Sequence, residues 1–404
     1  MSTAQATAFD ALRTPNFARL WAAQVISSFG DKITFFALAY VSWQVTQSAL
    51  VTTIAFATSI FPHAIFGFFA GAVADAVGHR RAMVACDLVR AALIGSIPIL
   101  LAVDAPLPSI YVLVFIAAMC AAVFNPARLA VVPDLVPPSQ LGASNSMVNA
   151  SDRTVEIGGS VIAGLIVAAL GAFAFYADAA TFVLSAILLL RIDRREAPPR
   201  GVSWRRLWRD AIDGVRWIAR HPVLRDNTIV SLIAQLSIPV LNGLTPVLIF
   251  REYGLGPEQL GIAEAALAAG AVGTGLLLPV VFGRRPKGNY VLAGFAAWGL
   301  ALIGIGLAPS FAFALALFVV AGITNVLFFV SNVTISQQVT PSEMRARVFG
   351  ARGALLNLTW LPIVLGVGAL ADATSAGVLI ALAGALSVTT ALVGAFLPSV
   401  RDVA

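Results

Sequence analysis

The chain has 404 residues, of which 59% are hydrophobic and only 11% are charged, and its mean hydropathy is +0.89. A water-soluble domain could not bury so much apolar surface, so this composition excludes a soluble fold. The formal net charge of +6 would suggest nucleic-acid binding in a soluble protein. In an apolar chain, the positions of the charges instead report the membrane topology.

Apolar stretches of about 20 residues, the length that crosses a bilayer as an α-helix, recur along the whole sequence. In the first half they fall at 17–44, 49–74, 81–103, 108–127, 141–170 and 172–190. In the second half they fall at 225–250, 258–282, 289–308, 311–338, 350–371 and 375–397. The sequence therefore predicts an all-α membrane protein with twelve transmembrane helices.

The basic residues predict the orientation of these spans. If the amino terminus is cytoplasmic, the cytoplasmic connections hold Arg80, Arg81, Arg128, the arginines of 191–225, Arg284, Arg285, Lys287, Arg345, Arg347 and Arg352. The opposite connections contain Arg251 alone. Positive charge concentrates on the cytoplasmic side, and residues 1–16 lack the pattern of a signal peptide. We therefore expect both termini to lie in the cytoplasm and the protein to reside in the cytoplasmic (inner) membrane.

A polar segment at 191–224 divides the sequence near its midpoint. It predicts a cytoplasmic linker between an N-terminal six-helix bundle at 1–190 and a C-terminal one at 225–404. Apolar residues recur in it at helical spacing, with arginines on the other face, which predicts an amphipathic helix at the lipid headgroups. These apolar residues are Trp204, Leu207, Trp208, Ala211, Ile212, Val215 and Ile218. Nucleic-acid binding is the alternative, but basic linkers are expected on the cytoplasmic side, so we expect no nucleic-acid partner.

The two halves also share sequence signals at nearly one offset. PSQLGAS at 138–144 aligns with PSEMRAR at 341–347, an offset of 203. Gly71, Arg80 and Arg81 align with Gly275, Arg284 and Arg285 at an offset of 204. These matches indicate two related six-helix units, the plan in which a substrate site forms between halves that rock against each other.

The segment GAVADAVGHRRAM at 71–83 joins the second predicted span to the third. Its glycines permit a tight turn, and its acid and arginines can lock one conformation by pairing. The motif residues are Gly71, Asp75, Gly78, Arg80 and Arg81. This segment resembles the signature loop of the major facilitator superfamily, although His79 stands where an arginine is commoner. The resemblance implies two pseudo-symmetric six-helix bundles that work by alternating access.

The resemblance further implies a conformational latch. Asp75, Arg81 and Asp87 would form an ion-pair network when the outward-facing state is favoured, and Arg90 follows in the same helix. The alternative is that these arginines only satisfy the positive-inside rule. That rule does not require the two charges, Asp87 and Arg90, that lie within the third span.

A polar stripe runs along the fifth predicted span. Asn145, Asn149, Asp152, Arg153, Glu156 and Ser160 lie along one stripe, in which residues three or four positions apart are neighbours. Such side chains must face protein or water rather than lipid. The adjoining GSVIAG at 159–164 partly resembles the antiporter motif of the same superfamily, with Ser160 in place of proline and Ala163 in place of glycine. This favours export, but close helix packing explains the small residues equally well.

Acidic residues within the spans are candidates for proton coupling, because a carboxylate in an apolar cavity can take up a proton near neutral pH. They are Asp31, Glu156, Asp178 and Glu264, of which Asp31 and Glu156 are preferred. Static pairing, of Asp31 with Lys32 and of Glu156 with Arg153, is the alternative.

Other polar side chains in the spans are candidates for lining a substrate cavity. They are Asn149, Arg153, Gln235, Asn242, Asn325, Asn332, Asn357 and Trp360. An apolar cavity with scattered amides suits an amphipathic organic solute, although each residue could instead join two helices by a hydrogen bond. The sequence has no Walker loop and no metal-like clustering of histidines, so we expect no cofactor, no metal and no enzymatic activity.

Three further segments, 13–33, 125–146 and 345–355, resemble the bacterial branch of the superfamily that includes macrolide efflux pumps and the enterobactin exporter. The arginine that proton-coupled drug exporters often carry in the middle of the fourth span is absent, since Arg128 falls at its cytoplasmic end. We expect a monomeric secondary transporter that exports a drug, a siderophore or a similar amphipathic solute, by proton antiport and alternating access. A lysophospholipid flippase and a non-transporting membrane sensor or scaffold are the alternatives.

Overall fold

The computed structural model describes residues 12–193, 204–281 and 287–403. The predicted alignment of Arg284 and Arg285 with the first half lies outside these residues. The secondary structure of the described part is helical, without a β-strand. This agrees with the apolar sequence, because a chain in lipid must satisfy its backbone hydrogen bonds internally.

The helices follow the predicted spans. The first half forms α1 (Pro15–Thr46), α2 (Ala49–Val77), α3 (His79–Ala102), α4 (Leu107–Leu135), α5 (Leu141–Thr154), α6 (Ser160–Leu170) and α7 (Ala174–Leu190). The second half forms α8 (Trp204–Arg220), α9 (Pro222–Ala234), α10 (Ser237–Val247), α11 (Pro257–Val281), α12 (Lys287–Gly306), α13 (Phe311–Val339), α14 (Ser342–Ala373), α15 (Ala376–Ala395) and α16 (Pro398–Arg401).

Within the described residues, eight helical stretches are long and apolar enough to cross a membrane. One of them, Pro138–Leu190, covers both the fifth and the sixth predicted spans. α1, α2 and α11 coincide with predicted spans but are not among the eight. In α1, Asp31 and Lys32 near the middle lower the mean hydropathy. The prediction of an all-α, multi-pass membrane protein is confirmed.

Two predicted spans are not single regular helices. α5 and α6 are joined by a π-helical turn at Val155–Gly159, a widened turn that is often found at functional sites. α9 and α10 are separated at Gln235 and Leu236. Pro239 explains this break, because in a continuous helix its ring would clash with the carbonyl group of residue 235.

By its contacts the chain divides into two compact units. Unit 1 comprises Met1–Val41 and Thr58–Val202, and unit 2 comprises Ser42–Ala57 and Ser203–Ala404. In unit 1, α3 packs against α4 and α7. One hydrophobic cluster of unit 1 includes Phe17, Leu20, Met83, Phe124, Val131 and Leu189.

Side chains in unit 2 complete the ends of several helices. Asp372, near the end of α14, accepts hydrogen bonds from the backbone nitrogen of Ala49 (2.5 Å) and from the hydroxyl group of Ser48 (2.8 Å). Glu252 accepts one from the backbone nitrogen of Ala376, the first residue of α15, at 2.5 Å. Helix N-termini have free N–H groups that favour a carboxylate. These contacts explain why residues 42–57 belong to unit 2.

Pairs of glycines let α12 and α15 approach closely. A β-carbon on Gly299 would collide with the carbonyl oxygen of Gly384, and one on Gly306 with that of Gly377. The converse holds for Gly384 and Gly377. Such small residues are typical of helix contacts in membranes, where tight backbone packing replaces the hydrophobic effect.

The predicted amphipathic helix corresponds to α8, which packs against α14. Gly214 meets the carbonyl oxygen of Arg347, and Ile218 is buried against Val348 and Ala351. The neighbouring Ile212 and Val215 are exposed. The side chains of Trp204, Leu207, Trp208 and Ala211 fall outside the described part of the structure.

Candidate functional site

A cluster of charged side chains joins α1, α3 and α7 within unit 1. Its centre is Arg90 on α3, which is 2% exposed and forms an ion pair with Asp31 on α1. Its Nη1 atom lies 3.4 Å from Oδ1 of Asp87 and donates a hydrogen bond of 3.1 Å to Oγ of Ser27. The guanidinium carbon lies 3.8 Å from the ring centre of Phe182 on α7, a cation–π contact. The positive charge is therefore held by two acids and an aromatic ring.

A third acid, Asp178 on α7, belongs to the same region and is fully buried. Its carboxylate accepts hydrogen bonds from the hydroxyl groups of Thr34 and Thr181, the latter at 3.1 Å. Gly30 makes room for this junction, because a β-carbon there would collide with Thr181 and with the carboxylate. Asp178 also interacts electrostatically with Asp31 and Arg90. Three carboxylates thus surround one arginine.

Asp31 differs from the other two acids in its exposure. Its side chain is 49% exposed, whereas Asp87 and Asp178 are buried completely. In the structure Asp31 pairs with Arg90 and not with the adjacent Lys32, which was the static alternative. The sequence could not reveal this pair, since 59 residues separate its members.

The residues of the signature loop lie at the junction of α2 and α3. Gly78 has φ +96°, a left-handed conformation that strongly favours glycine. Asp75 contacts His79 at 2.9 Å, and Arg80 donates hydrogen bonds to the carbonyl oxygens of Leu189 (3.1 Å) and Leu190 (2.8 Å). These contacts join the end of α2 and the start of α3 to the end of α7. The implied network of Asp75, Arg81 and Asp87 stays a prediction.

Gly71, the first residue of the motif, lies inside α2. A β-carbon on Gly71 would come 3.9 Å from Pro126, an ordinary van der Waals distance. The turn therefore requires its glycine at Gly78 rather than at Gly71.

The end of the fourth span requires a correction. The sequence ended this span at residue 127, but α4 continues to Leu135 and Arg128 is buried within it. It lies 3.5 Å from Asp152 on α5, which also accepts a 2.5 Å hydrogen bond from Gln24 on α1. The apolar stretch was ended too early because a charge that meets a partner can be buried.

Among the other polar residues of the fifth span, Asn149, Arg153 and Glu156 are exposed or partly exposed, whereas Ser160 is buried. Glu156 in the π-helical turn forms a 2.6 Å ion pair with Arg153, and both side chains are partly exposed. Asn149 is exposed and donates a hydrogen bond of 2.8 Å to the carbonyl oxygen of Asn145. For Glu156, the pairing in this structure is therefore the static one that the sequence left open.

A second polar cluster lies in unit 2 and was not predicted as a whole. Asn332 on α13 is buried, accepts a 3.1 Å hydrogen bond from Asn227 on α9, and contacts Ser231. Arg352 on α14 donates to Asn332, to Ser336 and, at 2.9 Å, to Ser231. The sequence had assigned Arg352 to a cytoplasmic connection, but it lies within α14 and is 6% exposed. The buried amides and serines at helical spacing were the signal that could have located it.

The remaining candidates are partly buried. They are Gln235, Asn242, Asn325, Asn357, Trp360 and Glu264. Gln235 lies at the break between α9 and α10. In the described part of the chain, no hydrogen bond joins two of these six residues.

Comparison with known proteins agrees with this architecture. The chain is 28% identical to the multidrug efflux pump Tap of Mycolicibacterium fortuitum over 396 residues, which cover 94% of this chain and 95% of that protein. It is 25% identical to macrolide efflux protein A of Streptococcus pyogenes over 395 residues, covering 95% and 96%. Both relatives are bacterial efflux transporters by name.

Solved structures of transporters share the fold. The crystal structure of a peptide transporter, POT, superposes with a TM-score of 0.75 over 99% of both chains, at 12% identity. That of the nucleoside transporter NupG gives 0.73 over 94% of this chain and 98% of the other, also at 12% identity. Residues 20–361 match the Major Facilitator Superfamily as a sequence family. The chain belongs to the Major Facilitator Superfamily and is a multi-pass membrane transporter.

Proposed function

We propose that this transporter exports a small hydrophobic or amphipathic organic solute, such as a drug or a siderophore, in exchange for protons. The observation that carries the proposal is the cluster of Asp31, Asp87 and Asp178 around Arg90. Three ionised carboxylates beside one guanidinium would leave an excess of negative charge in an apolar bundle, which is unfavourable. A bound proton removes one of those charges.

Asp31 is the most exposed acid of the cluster, because its side chain is half-exposed while the other two acids are buried, so we take it as the one that exchanges the proton. When Asp31 takes up a proton, its ion pair with Arg90 weakens and Arg90 is left with Asp87 and Ser27. When the proton leaves, the ion pair forms again. Protonation therefore changes the contacts between α1 and α3, and a proton can bias a two-state equilibrium only through such a difference.

Alternating access connects this change to transport. The acid loads a proton while it faces the more acidic outer side and releases it on the cytoplasmic side, in the cytoplasmic membrane and with both termini inside. Asp75, Arg80 and Arg81 at the junction of α2 and α3 act as the latch of one state. The names of the relatives Tap and macrolide efflux protein A support export and an organic solute.

Transport into inside-out vesicles tests the proposal. Vesicles that contain the protein are energised to an acidic interior and offered a panel of dyes, macrolides and siderophores. We expect uptake of at least one amphipathic compound, collapse of that uptake when an uncoupler is added, and none in vesicles without the protein. Uptake that is indifferent to the proton gradient would contradict antiport, and uptake of lysophospholipid alone would contradict the substrate class.

A further inference from the structure

The two units carry buried arginines in opposite electrostatic surroundings. Arg90 in unit 1 has the carboxylates of Asp31, Asp87 and Asp178 around it. Arg352 in unit 2 is 6% exposed, and no aspartate or glutamate forms an ion pair with it in the described ranges of the chain. Its oxygen partners are the neutral side chains of Ser231, Asn332 and Ser336.

A buried guanidinium without a countercharge is unfavourable, because neutral hydrogen bonds replace only part of the lost hydration. Two atoms of the cluster have no hydrogen-bond partner among the described residues: the Nε atom of Arg352 and the Oδ1 atom of Asn227. The cluster therefore holds a full positive charge, a free N–H donor and a free acceptor within α9, α13 and α14.

We infer that Arg352 binds the anionic group of the transported solute, a carboxylate or a similar acid, and that the solute is therefore an amphipathic organic anion. The inference rests on the proposed transport of an organic solute and specifies its chemical class. Both hydrogens of the Nη2 atom of Arg352 already bond to Ser231 and Asn332, so the carboxylate of the solute would accept a charge-assisted hydrogen bond from Nε, which has no partner among the described residues. The hydroxyl group of Ser231 and the amide of Asn332 hold the guanidinium in place by contacting it directly.

Serine and asparagine suit this role better than an acid would. A permanent carboxylate at position 332 would neutralise Arg352 and compete with the solute, whereas an amide orients the guanidinium and leaves its charge available. The hydrogen bond from Asn227 to Asn332, 3.1 Å long, fixes the orientation of that amide. The guanidinium of Arg352 is thus fixed in orientation, but its positive charge has no countercharge among the described residues.

Fluorescein and rhodamine 123 provide a matched pair of probes, because they share a xanthene ring and carry opposite charges. We would measure binding of each dye to the purified full-length protein by fluorescence anisotropy. For Arg352→Gln we expect the dissociation constant of fluorescein to rise at least tenfold while that of rhodamine 123 changes less than twofold. Arg352→Lys, which keeps the charge but loses the Nε donor, should give an intermediate loss.

A second variant separates ligand binding from structural support. Asn332→Asp places a carboxylate beside Arg352, so it should raise the unfolding temperature and still abolish fluorescein binding. Arg345→Gln is the control, since Arg345 is exposed on the same helix and contacts only the carbonyl oxygen of Thr340 among the described residues. It should leave both affinities unchanged.

Other results would overturn the inference. It is wrong if wild-type protein does not bind fluorescein saturably, if Arg352→Gln weakens both dyes equally, or if Asn332→Asp leaves fluorescein binding intact. Export of rhodamine 123 or a macrolide by the same preparation in liposomes would show that the proposed function survives such a failure. Absence of export of every compound would instead contradict the proposed function itself.

Discussion

At the scale of single residues, the contrast between Asp31 and Glu156 indicates which acid would bind the proton in the proposed exchange. Both are acids within predicted spans, but Asp31 contacts a buried arginine from another helix. Glu156 pairs with Arg153, three residues away in the same span, and both side chains are partly exposed. A pair within one helix stays together when helices move. A pair between α1 and α3 can separate when these helices move.

We therefore predict that Asp31→Asn abolishes the dependence of export on the proton gradient while substrate binding is retained. The amide keeps the shape of the side chain but cannot exchange a proton. Drug uptake into inside-out vesicles, with and without an uncoupler, measures the effect. Glu156→Gln is the comparison and is expected to reduce the dependence less. If Asp31→Asn still exports against a gradient and still collapses with an uncoupler, Asp31 is not the carrier, and Asp178 and Glu264 become the next acids to test.

The sequence identified these acids but not their partners. An acid that interrupts an apolar stretch is visible by inspection, so Asp31 and Asp178 could be singled out. The pairing of Asp31 with Arg90 depends on which faces of α1 and α3 meet, and apolar periodicity does not specify that face when a helix is apolar all round. The fourth span was ended at Arg128 because a charge was taken as its end, and Arg352 was counted with the cytoplasmic charges although it falls within the predicted span 350–371.

At the scale of elements, the contact between α8 and α14 depends on one glycine. Gly214 lies against the backbone carbonyl group of Arg347, and Asp213 lies 3.6 Å from the guanidinium of the same residue. The backbone of α8 can approach α14 only where no β-carbon intervenes. Ile218 then packs in the buried apolar cluster with Leu224, Val348 and Ala351.

We predict that Gly214→Ala lowers the free energy of unfolding by about 1–3 kcal/mol, because the new methyl group overpacks the interface. Gly366→Ala on α14 is the matched control, since a β-carbon there would meet no atom within 4 Å. Alanine is the better helix former, so the control should be neutral or stabilising by roughly 0.5–1 kcal/mol. Thermal unfolding of purified protein measures both, and equal shifts would contradict the assigned contact.

Helix positions were more predictable than helix interruptions. Hydropathy located the spans because lipid imposes the same requirement on every crossing segment. The π-helical turn at Val155–Gly159 and the break at Gln235 depend on local backbone geometry, to which an average over many residues is insensitive. Pro239 was the available signal for the second interruption, and the glycines Gly158 and Gly159 accompany the first.

At the scale of the whole molecule, the internal repeat marks equivalent positions in the two halves. Pro138 opens a short 3₁₀ turn before α5, and Pro341 directly precedes α14. Each proline therefore stands at the start of a membrane helix, where its missing N–H group is tolerated. The aligned segments are thus helix starts, which agrees with duplication of one six-helix plan.

The same plan fixes the expected topology. We predict that reporter fusions at residue 200 and at the carboxyl terminus both report a cytoplasmic location and that a fusion near Pro106 reports the outer side. The physical reason is the excess of arginine in alternate connections, which are retained in the cytoplasm during insertion. Opposite locations for residue 200 and the carboxyl terminus would imply an odd number of spans in the second half and would exclude two sets of six.

The glycine pairs between α12 and α15 provide a reference distance for spectroscopic measurements. Gly299 with Gly384 and Gly306 with Gly377 place the two backbones in direct contact, so we predict that these helices move as one body. Leu300 on α12 and Leu382 on α15 are each 60% exposed and can carry nitroxide labels. The distance between such labels should stay constant when substrate or protons are added, and distance changes elsewhere in the protein can be calibrated against it.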